Sequence, residues 1–405
     1  MNDILTSENT LAAITFMLKW KSAVAHHTDC YHAQPVNFWR DCFSRGLAEG
    51  LLNKRPGDVV EQSFGPGEIV PAFDGSLDFK IKANQFCCNL DGLSIKPRQG
   101  RFYPKGFLRG VPKIFPQNME PFRVISVTGN ELFVSLNHSL AKEVLTVRAE
   151  IVNVMPKGVE RGGSCTDWIE ILTTGPGMQV RVAGKPTDFF SDDSFRREDE
   201  ADDAIFYEKP RFVQHLDDRA ISEISRLYGE LLPQNGHVLD LMSSWTSHLP
   251  KGLSLASVTG VGMNLEELKR NERLTQYLVQ DLNQNLTLPF SENTFDAVIC
   301  TASVEYLTHP LEIFNELARV LRPDGICIMT FSNRWFPPKA IRIWQDLHEF
   351  ERMGLVLEYF LLTERFKDLH TYSMRGLPRP STDKYFGLQK YSDPVYAVWG
   401  KVNKD

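Results

Sequence analysis

The chain has 405 residues, 42% of them hydrophobic and 24% charged, with a formal net charge of −6. Those values are expected of an ordinary globular protein with two or three cores, and they exclude a binder of nucleic acid or acidic membrane that works through bulk positive charge. No apolar run reaches the length needed to span a bilayer, and the apolar stretch Leu11–Leu18 follows Asp3 and Glu8 with no Lys or Arg, so neither a membrane span nor a secretory signal is expected.

Residues 1–45 read as an N-terminal extension. They carry the group His26, His27, Cys30 and His32, whose ligand types suit zinc or nickel. No second ligand pair follows at a recognisable spacing, so the expectation is a surface loop and no metal. From 46 to 156 the texture is β-rich. Gly57-Asp58 is a turn entering a strand, Gly129-Asn130 sits between two strand-like runs as a hairpin turn, and Leu145, Val147, Ala149 and Ile151 alternate with polar residues as one half-buried strand does. Residues 157–205, with Gly162-Gly163, Gly175-Pro176-Gly177 and the charge run Arg196–Asp203, read as a connector over the surface.

The rhythm then changes. A helix is predicted over 220–232, and strands at 238–241, 257–261, 278–280, 295–300 and 326–331. Helices are predicted over 265–270, with Asn264 as its cap, over 311–321, and through 339–364. Two β segments, 366–372 and 395–402, close the chain. Strands alternating with helices give a mostly parallel sheet covered on both faces. In such sheets ligands bind beyond the carboxyl ends of the strands, so the residues that follow each strand are the candidates for a site.

Two resemblances follow from those residues. Leu288-Pro289-Phe290 through Phe295-Asp296-Ala297-Val298, with Glu316, Arg319-Val320-Leu321 and Pro323-Asp324-Gly325, resembles class I S-adenosylmethionine (SAM)-dependent methyltransferases of the type 11 kind, and the resemblance covers roughly residues 206–405. It implies a Rossmann-like α/β methyltransferase domain whose last strand is antiparallel. It also implies SAM as cofactor, with Asp240 beside the cofactor's amino-acid part, Met242, Ser243 and Ser244 in the cofactor loop, and Met263 and Asn264 near the ribose. Asp281 and Leu282 would hold the adenine edge, and Thr301 and Ser303 would lie near the methyl group. The loop 241–248 has no glycine where the family is glycine-rich, and Asn264 stands where an acid usually holds the ribose.

Around the acceptor the candidates are Glu305 and Tyr306 after the fourth strand, Asn333, Arg334 and Trp335 after the fifth, and His215 on the approach to the first. Glu305 is the base candidate by position, with a helix-start acid favoured by the dipole as the alternative. His215 titrates near neutrality, with a packed or capping histidine as its alternative.

The second resemblance is carried by Pro121–Val124, Asn137-His138-Ser139-Leu140-Ala141-Lys142 and the strand to Val154. This stretch resembles SlyD-type FKBP prolyl isomerases and implies an FKBP-like β-rich domain at 46–156, preceding the methyltransferase domain at 206–405. Two functions are therefore carried forward. One is a methyltransferase acting on a small-molecule or polypeptide acceptor, with an FKBP-like module that binds or folds the substrate. The other is a prolyl isomerase or chaperone-like binding protein with an inactive Rossmann domain. Seven cysteines, Cys30, Cys42, Cys87, Cys88, Cys165, Cys300 and Cys327, with no CxxC pair, fit thiols kept reduced in a cytoplasm.

Overall fold

A computed structural model describes residues 4–87, 89–90, 93–158, 163–182 and 184–404; Cys88 and Gly162 lie outside them. The first two strands, β1 (Thr10–Lys21) and β2 (His26–Asn37), form an antiparallel hairpin. Helix α1 (Arg45–Leu51) buries Leu47 and Leu51 against the sheet, and β3 (Val59–Phe64) follows. An insertion comes next: β4 (Asp78–Lys82), the short pair β5 (Asn89–Leu90) and β6 (Leu93–Ser94), β7 (Phe102–Pro104), β8 (Pro121–Thr128) and β9 (Glu131–Ser135). Four of these make a separate sheet in the order β4-β9-β8-β7, with its own core of Ile81, Phe86, Tyr103, Phe122, Leu132 and Val134. The chain then returns through β10 (Leu145–Pro156), which pairs with β1 on one side and β3 on the other.

Short helices α2 (Trp168–Thr173) and α3 (Asp203–Phe206) mark the next stretch. Beyond them α4 (Asp218–Leu231) alternates with β11 (His237–Leu241), β12 (Ser257–Gly262), α5 (Leu265–Arg270), β13 (Gln276–Val279), β14 (Phe295–Thr301), α6 (Pro310–Val320) and β15 (Leu321–Phe331). Then come α7 (Arg342–Asp346), α8 (Glu349–Thr363), β16 (Phe366–Arg375) and β17 (Val395–Val402). The predicted starts of α4, α5 and α6 hold to within two residues because local chemistry fixes them, whereas the strand expected at 326–331 begins at Leu321 and the helical region expected through 339–364 is two helices. Asp217 caps α4 by accepting from the amides of Arg219 and Ala220, Asn264 caps α5 as expected, and Pro310 opens α6 at a position whose amide needs no partner.

Strands β13, β12, β11, β14 and β15 are parallel, and β17 runs antiparallel between β15 and β16, as the resemblance implied. The sheet does not stop there. Strand β16 pairs in parallel with β2, giving one eleven-stranded sheet in the order β13-β12-β11-β14-β15-β17-β16-β2-β1-β10-β3.

Three expectations are corrected. The histidine-rich group is strand, not surface loop: His27 is 1% exposed, stacks on Trp20 and bonds both Ser22 and Thr371. Residues 1–45 supply two of the longest strands, and these lie inside the sheet. The connector is not purely superficial. Trp168 and Phe189 are buried, and within the charge run Arg197 and Asp203 form a buried ion pair at 2.7 Å. Sequence polarity misled there, because paired charges can be buried where single ones cannot.

Candidate active site

The carboxyl ends of β11, β12, β14 and β15, with the residues after β13, open onto one cleft of about 500 Å³. Every residue expected to hold the cofactor lines it: Asp240, Met242, Ser243 and Ser244, then Met263, Asn264, Asp281 and Leu282, then Thr301 and Ser303. So do Asn333, Arg334, Trp335, His215 and Tyr306. Glu305 does not wall the cleft. It is 1% exposed, and both carboxyl oxygens are buried without a hydrogen-bond partner among the described residues.

The loop after β11 manages its turn without glycine at a local cost. Met242 adopts φ 55°, in the left-handed region that an L side chain normally avoids. The glycine the turn needs stands on the neighbouring strand instead: a Cβ at Gly262 would lie 2.1 Å from the Ser243 carbonyl oxygen. That close approach lets the Ser243 amide donate to the Val261 carbonyl at 2.7 Å, while its hydroxyl donates to Asp240 at 2.6 Å. Ala302, after β14, is also left-handed at φ 47°, so two of the cleft's turns are held in sparsely populated backbone. Trp245 is turned aside to the cleft wall. Its indole N–H reaches the Val213 carbonyl at 3.3 Å and its ring meets Phe212 edge-on.

Besides Asp203, which is paired with Arg197 and Lys339, three carboxylates line the cleft. Burial holds Asp240 up at about 6, partly offset by hydrogen bonds from Ser243 and Ser247. Burial likewise raises Asp281; one of its oxygens accepts from the Asn283 amide at 2.8 Å, and the other, Oδ2, is buried with no partner among the described residues. The third, Glu267, was not anticipated. Asn264 spends its side chain on the α5 cap and on the carbonyls of Tyr207 and Glu208. Glu267, three residues on and therefore on the same face of the helix, brings the missing acid to the cleft, where Ser244 donates to it at 2.6 Å. Reading one helical turn further past Asn264 would have found it.

The cleft is lined as well by Arg211, His215, Lys384 and Tyr385, with the aromatic rings of Tyr207 and Phe336, and the Arg211 backbone amide donates to Glu267 at 2.7 Å. Lys384 and Tyr385 come from the loop between β16 and β17 and carried no sequence signal. The stretch 375–380 at the start of the same loop does not line the cleft. Its Arg379 instead fastens that loop, pairing with Asp393 at 2.7 Å and with Asp217 at 3.3 Å. Partial burial, then the charge of Arg211, holds the His215 imidazole below its ordinary value, so it is neutral at pH 7. Tyr306 is pushed up by burial and stays a phenol, its oxygen accepting from the Phe336 amide at 2.8 Å.

Residues 243–329 match the family model described as "Methyltransferase domain". The chain carries a methyltransferase domain. The residues that line the cleft fit SAM: the orphaned buried carboxylate oxygen of Asp281, with Asp240 and Glu267 also on the lining, would suit a ligand with an ammonium, a sulfonium and ribose hydroxyls. Among curated relatives, a ubiquinone/menaquinone biosynthesis C-methyltransferase of Roseobacter denitrificans is 38% identical over 17% of this chain and 28% of its own length. A demethylmenaquinone methyltransferase of Lactiplantibacillus plantarum is 30% identical over 28% of this chain and 52% of its own. The chain thus spans about a quarter to a half of the length of these relatives. A SAM-dependent methyltransferase structure from Aquifex aeolicus aligns with 50% of this chain and 97% of its own at 15% identity and a TM-score of 0.32. Among the described residues, no helix is long and apolar enough to cross a membrane, and no group of three or more potential metal ligands occurs.

Proposed function

We propose that the whole chain is a SAM-dependent methyltransferase whose acceptor enters the cleft beside Arg211, His215 and Lys384. One observation carries this reading: the residues marked from sequence for the cofactor all wall a single open cleft, with the unpartnered Asp281 Oδ2 among them. When bound, SAM supplies a methyl carbon whose bond to sulfur breaks, with the electron pair going to sulfur, as the acceptor's pair forms the new bond. The chain has to align the two partners and keep water out. His215, neutral and at the cleft mouth, takes the proton the acceptor atom releases, on an imidazole nitrogen. Tyr306 orients as a hydrogen-bond donor. Glu305 has no part in the proton transfer, because its carboxyl is sealed away from the cleft. The relatives' names refer to quinone methylation, and we take a ring compound as the acceptor's scaffold.

Residues 46–156, which hold β3, the inserted four-stranded unit and β10, are read as the FKBP-like module, and residues 206–405 as the methyltransferase unit. Trp168 of α2 lies against Phe16 and Tyr31 of the β1–β2 hairpin and donates its indole N–H to Asp41 at 2.9 Å, and it shares one core with Leu145, Val147 and Ala149 of β10, so the aromatic face next to that module is already filled by the chain itself. That favours a supporting or recruiting module over a working isomerase. In a prolyl-peptide assay on the full chain the expected rate is that of buffer.

Thermal-shift titration with SAM and with S-adenosylhomocysteine tests the central reading. Stabilisation by both, lost in Asp281→Ala, is expected; no shift with either ligand would favour the chaperone-like alternative.

A further inference from the structure

The acids that line the cleft are spent or aligned for the cofactor: Asp203 is paired with Arg197 and Lys339, and Glu267 accepts from the Ser244 hydroxyl and from the backbone amide of Arg211. The side chains of Arg211 and Lys384 also line it and, among the described residues, neither makes an ion pair with a carboxylate side chain. The Arg211 guanidinium lies 4.5 Å from the Phe206 ring centroid and 5.3 Å from that of Phe336, and its hydrogen bond goes to the Phe206 carbonyl. Phe336 also receives His215 edge-on at 5.1 Å, so one ring carries the cation on one contact and the candidate base on another. Arg211 and Lys384 both act on His215, opposed by Glu267, which places these groups in one field.

Lys384 is not placed there by chance of a loose loop. Arg379, whose side chain is 2% exposed, ties the loop to Asp217, Asp383 and Asp393, and Asp393 also holds Arg334 at 3.0 Å. Asp217 is at the same time the cap of α4 and accepts from Ser392 at 2.6 Å. The two other cations near the mouth, Arg334 and Arg379, are thus committed to aspartates, while Arg211 and Lys384 are left for a ligand. A guanidinium among aromatic rings that makes no ion pair of its own is a ready partner for a planar anion, and the rings supply a face for an aromatic scaffold.

We propose that the acceptor is an aromatic anion, a ring compound bearing a carboxylate or a phosphate ester held by Arg211 and Lys384, with the ring against Phe336. This rests on the methyltransferase reading above. The test is calorimetric titration of the full chain, first with S-adenosylhomocysteine and then, on the loaded protein, with four probes of one shape: 2-naphthoate, 2-naphthyl phosphate, 2-naphthalenemethanol and 2-naphthylmethylammonium. At least one anion is expected to bind ten-fold or more tightly than the alcohol, with the ammonium weakest; which anion binds best tells carboxylate from phosphate. In Lys384→Glu the preference for the anion over the ammonium is expected to fall at least ten-fold with S-adenosylhomocysteine affinity unchanged. The alcohol binding as well as both anions, or no probe binding to the loaded protein, overturns the aromatic anion while leaving the methyltransferase intact. Failure of S-adenosylhomocysteine itself to bind overturns the reading underneath.

Discussion

Glu305 keeps a buried carboxyl group whose oxygens have no hydrogen-bond partner of good geometry among the described residues, and burial, partly offset by its own backbone amide and the charge of Arg352, pushes its pKa up to about 8. A carboxylic acid whose folded value lies above its unfolded one binds more protons in the native state, so its contribution to stability is fully present below the unfolded value and is lost as pH rises through about 8. Glu305→Gln, which resembles the protonated acid in shape, is therefore expected to melt higher than the parent at pH 8.5, by a margin on the order of a few kcal/mol at ~1.4 kcal/mol per pKa unit. The two should converge near pH 5. Melting curves across pH 5–9 check this; equal slopes for both proteins would contradict it. Position after a strand was a sound guide to which residues approach the cleft, since Tyr306 and Ser303 reach it, but it could not say which way Glu305 points. Asn264 and Glu267 teach the same limit in the opposite sense. The sequence shows both residues, and only the helix face they share reveals that one is occupied as a cap while the other faces the site.

Among the elements, α8 is the least surface-like helix, because it is buried on nearly every side and still carries Glu351 and Glu358. Glu351 pairs with Arg101 of the inserted unit at 2.7 Å, and Glu358 with Arg181 of the connector at 2.7 Å. Gly354 lies between them, where a Cβ would sit 2.1 Å from the Gln179 side chain, so the connector is pressed onto the helix. Removing one partner of a buried pair leaves the other charge uncompensated. Glu351→Ala is expected to cost about 3–5 kcal/mol, measured by urea denaturation. Replacing Glu351 and Arg101 together by apolar residues of similar volume should recover much of that loss. A second prediction belongs to the β16–β17 loop. Arg379→Ala unties it from Asp217 and Asp393, so acceptor KM should rise while S-adenosylhomocysteine affinity stays within about two-fold. The alternation of helices and strands was legible because period and capping residues are local signals. The contacts of α8 were not, because a charged helix buried through pairing looks, in sequence, like a half-exposed one.

At the scale of the whole molecule, a single strand pair joins the sheets of the two halves, in addition to the Arg101–Glu351 contact. Strand β2 lies parallel to β16 over six residue pairs from His26–His370 to Tyr31–Arg375, and this seam turns two sheets into one. Sequence reading separated an extension, a β-rich module and an α/β unit because parallel pairing between strands more than three hundred residues apart leaves no local pattern. The seam is also where the histidines went. His27 Nδ1 lies 2.8 Å from the Thr371 hydroxyl, Ser373 donates to Asp29 at 2.6 Å, and His26 stacks on His370. Burial, then the charges of His26 and His370, lowers His27 to about 3, so it stays neutral in the folded protein. A histidine with a depressed folded value contributes stability that is present above pH 6.5 and is lost progressively as pH falls from there toward 3, the opposite direction to Glu305. The seam is accordingly expected to loosen first on acidification. Hydrogen exchange at pH 4.5 should show the amides of β2 and β16 losing protection before those of β14, which lies inside the parallel sheet. His27→Gln, which keeps a polar group beside Ser22 and Thr371 but cannot take up a proton, should narrow that difference. Acid exchange that rises equally in β14 and β16, or that is unchanged by the substitution, would mean that the halves are joined by something other than this buried imidazole.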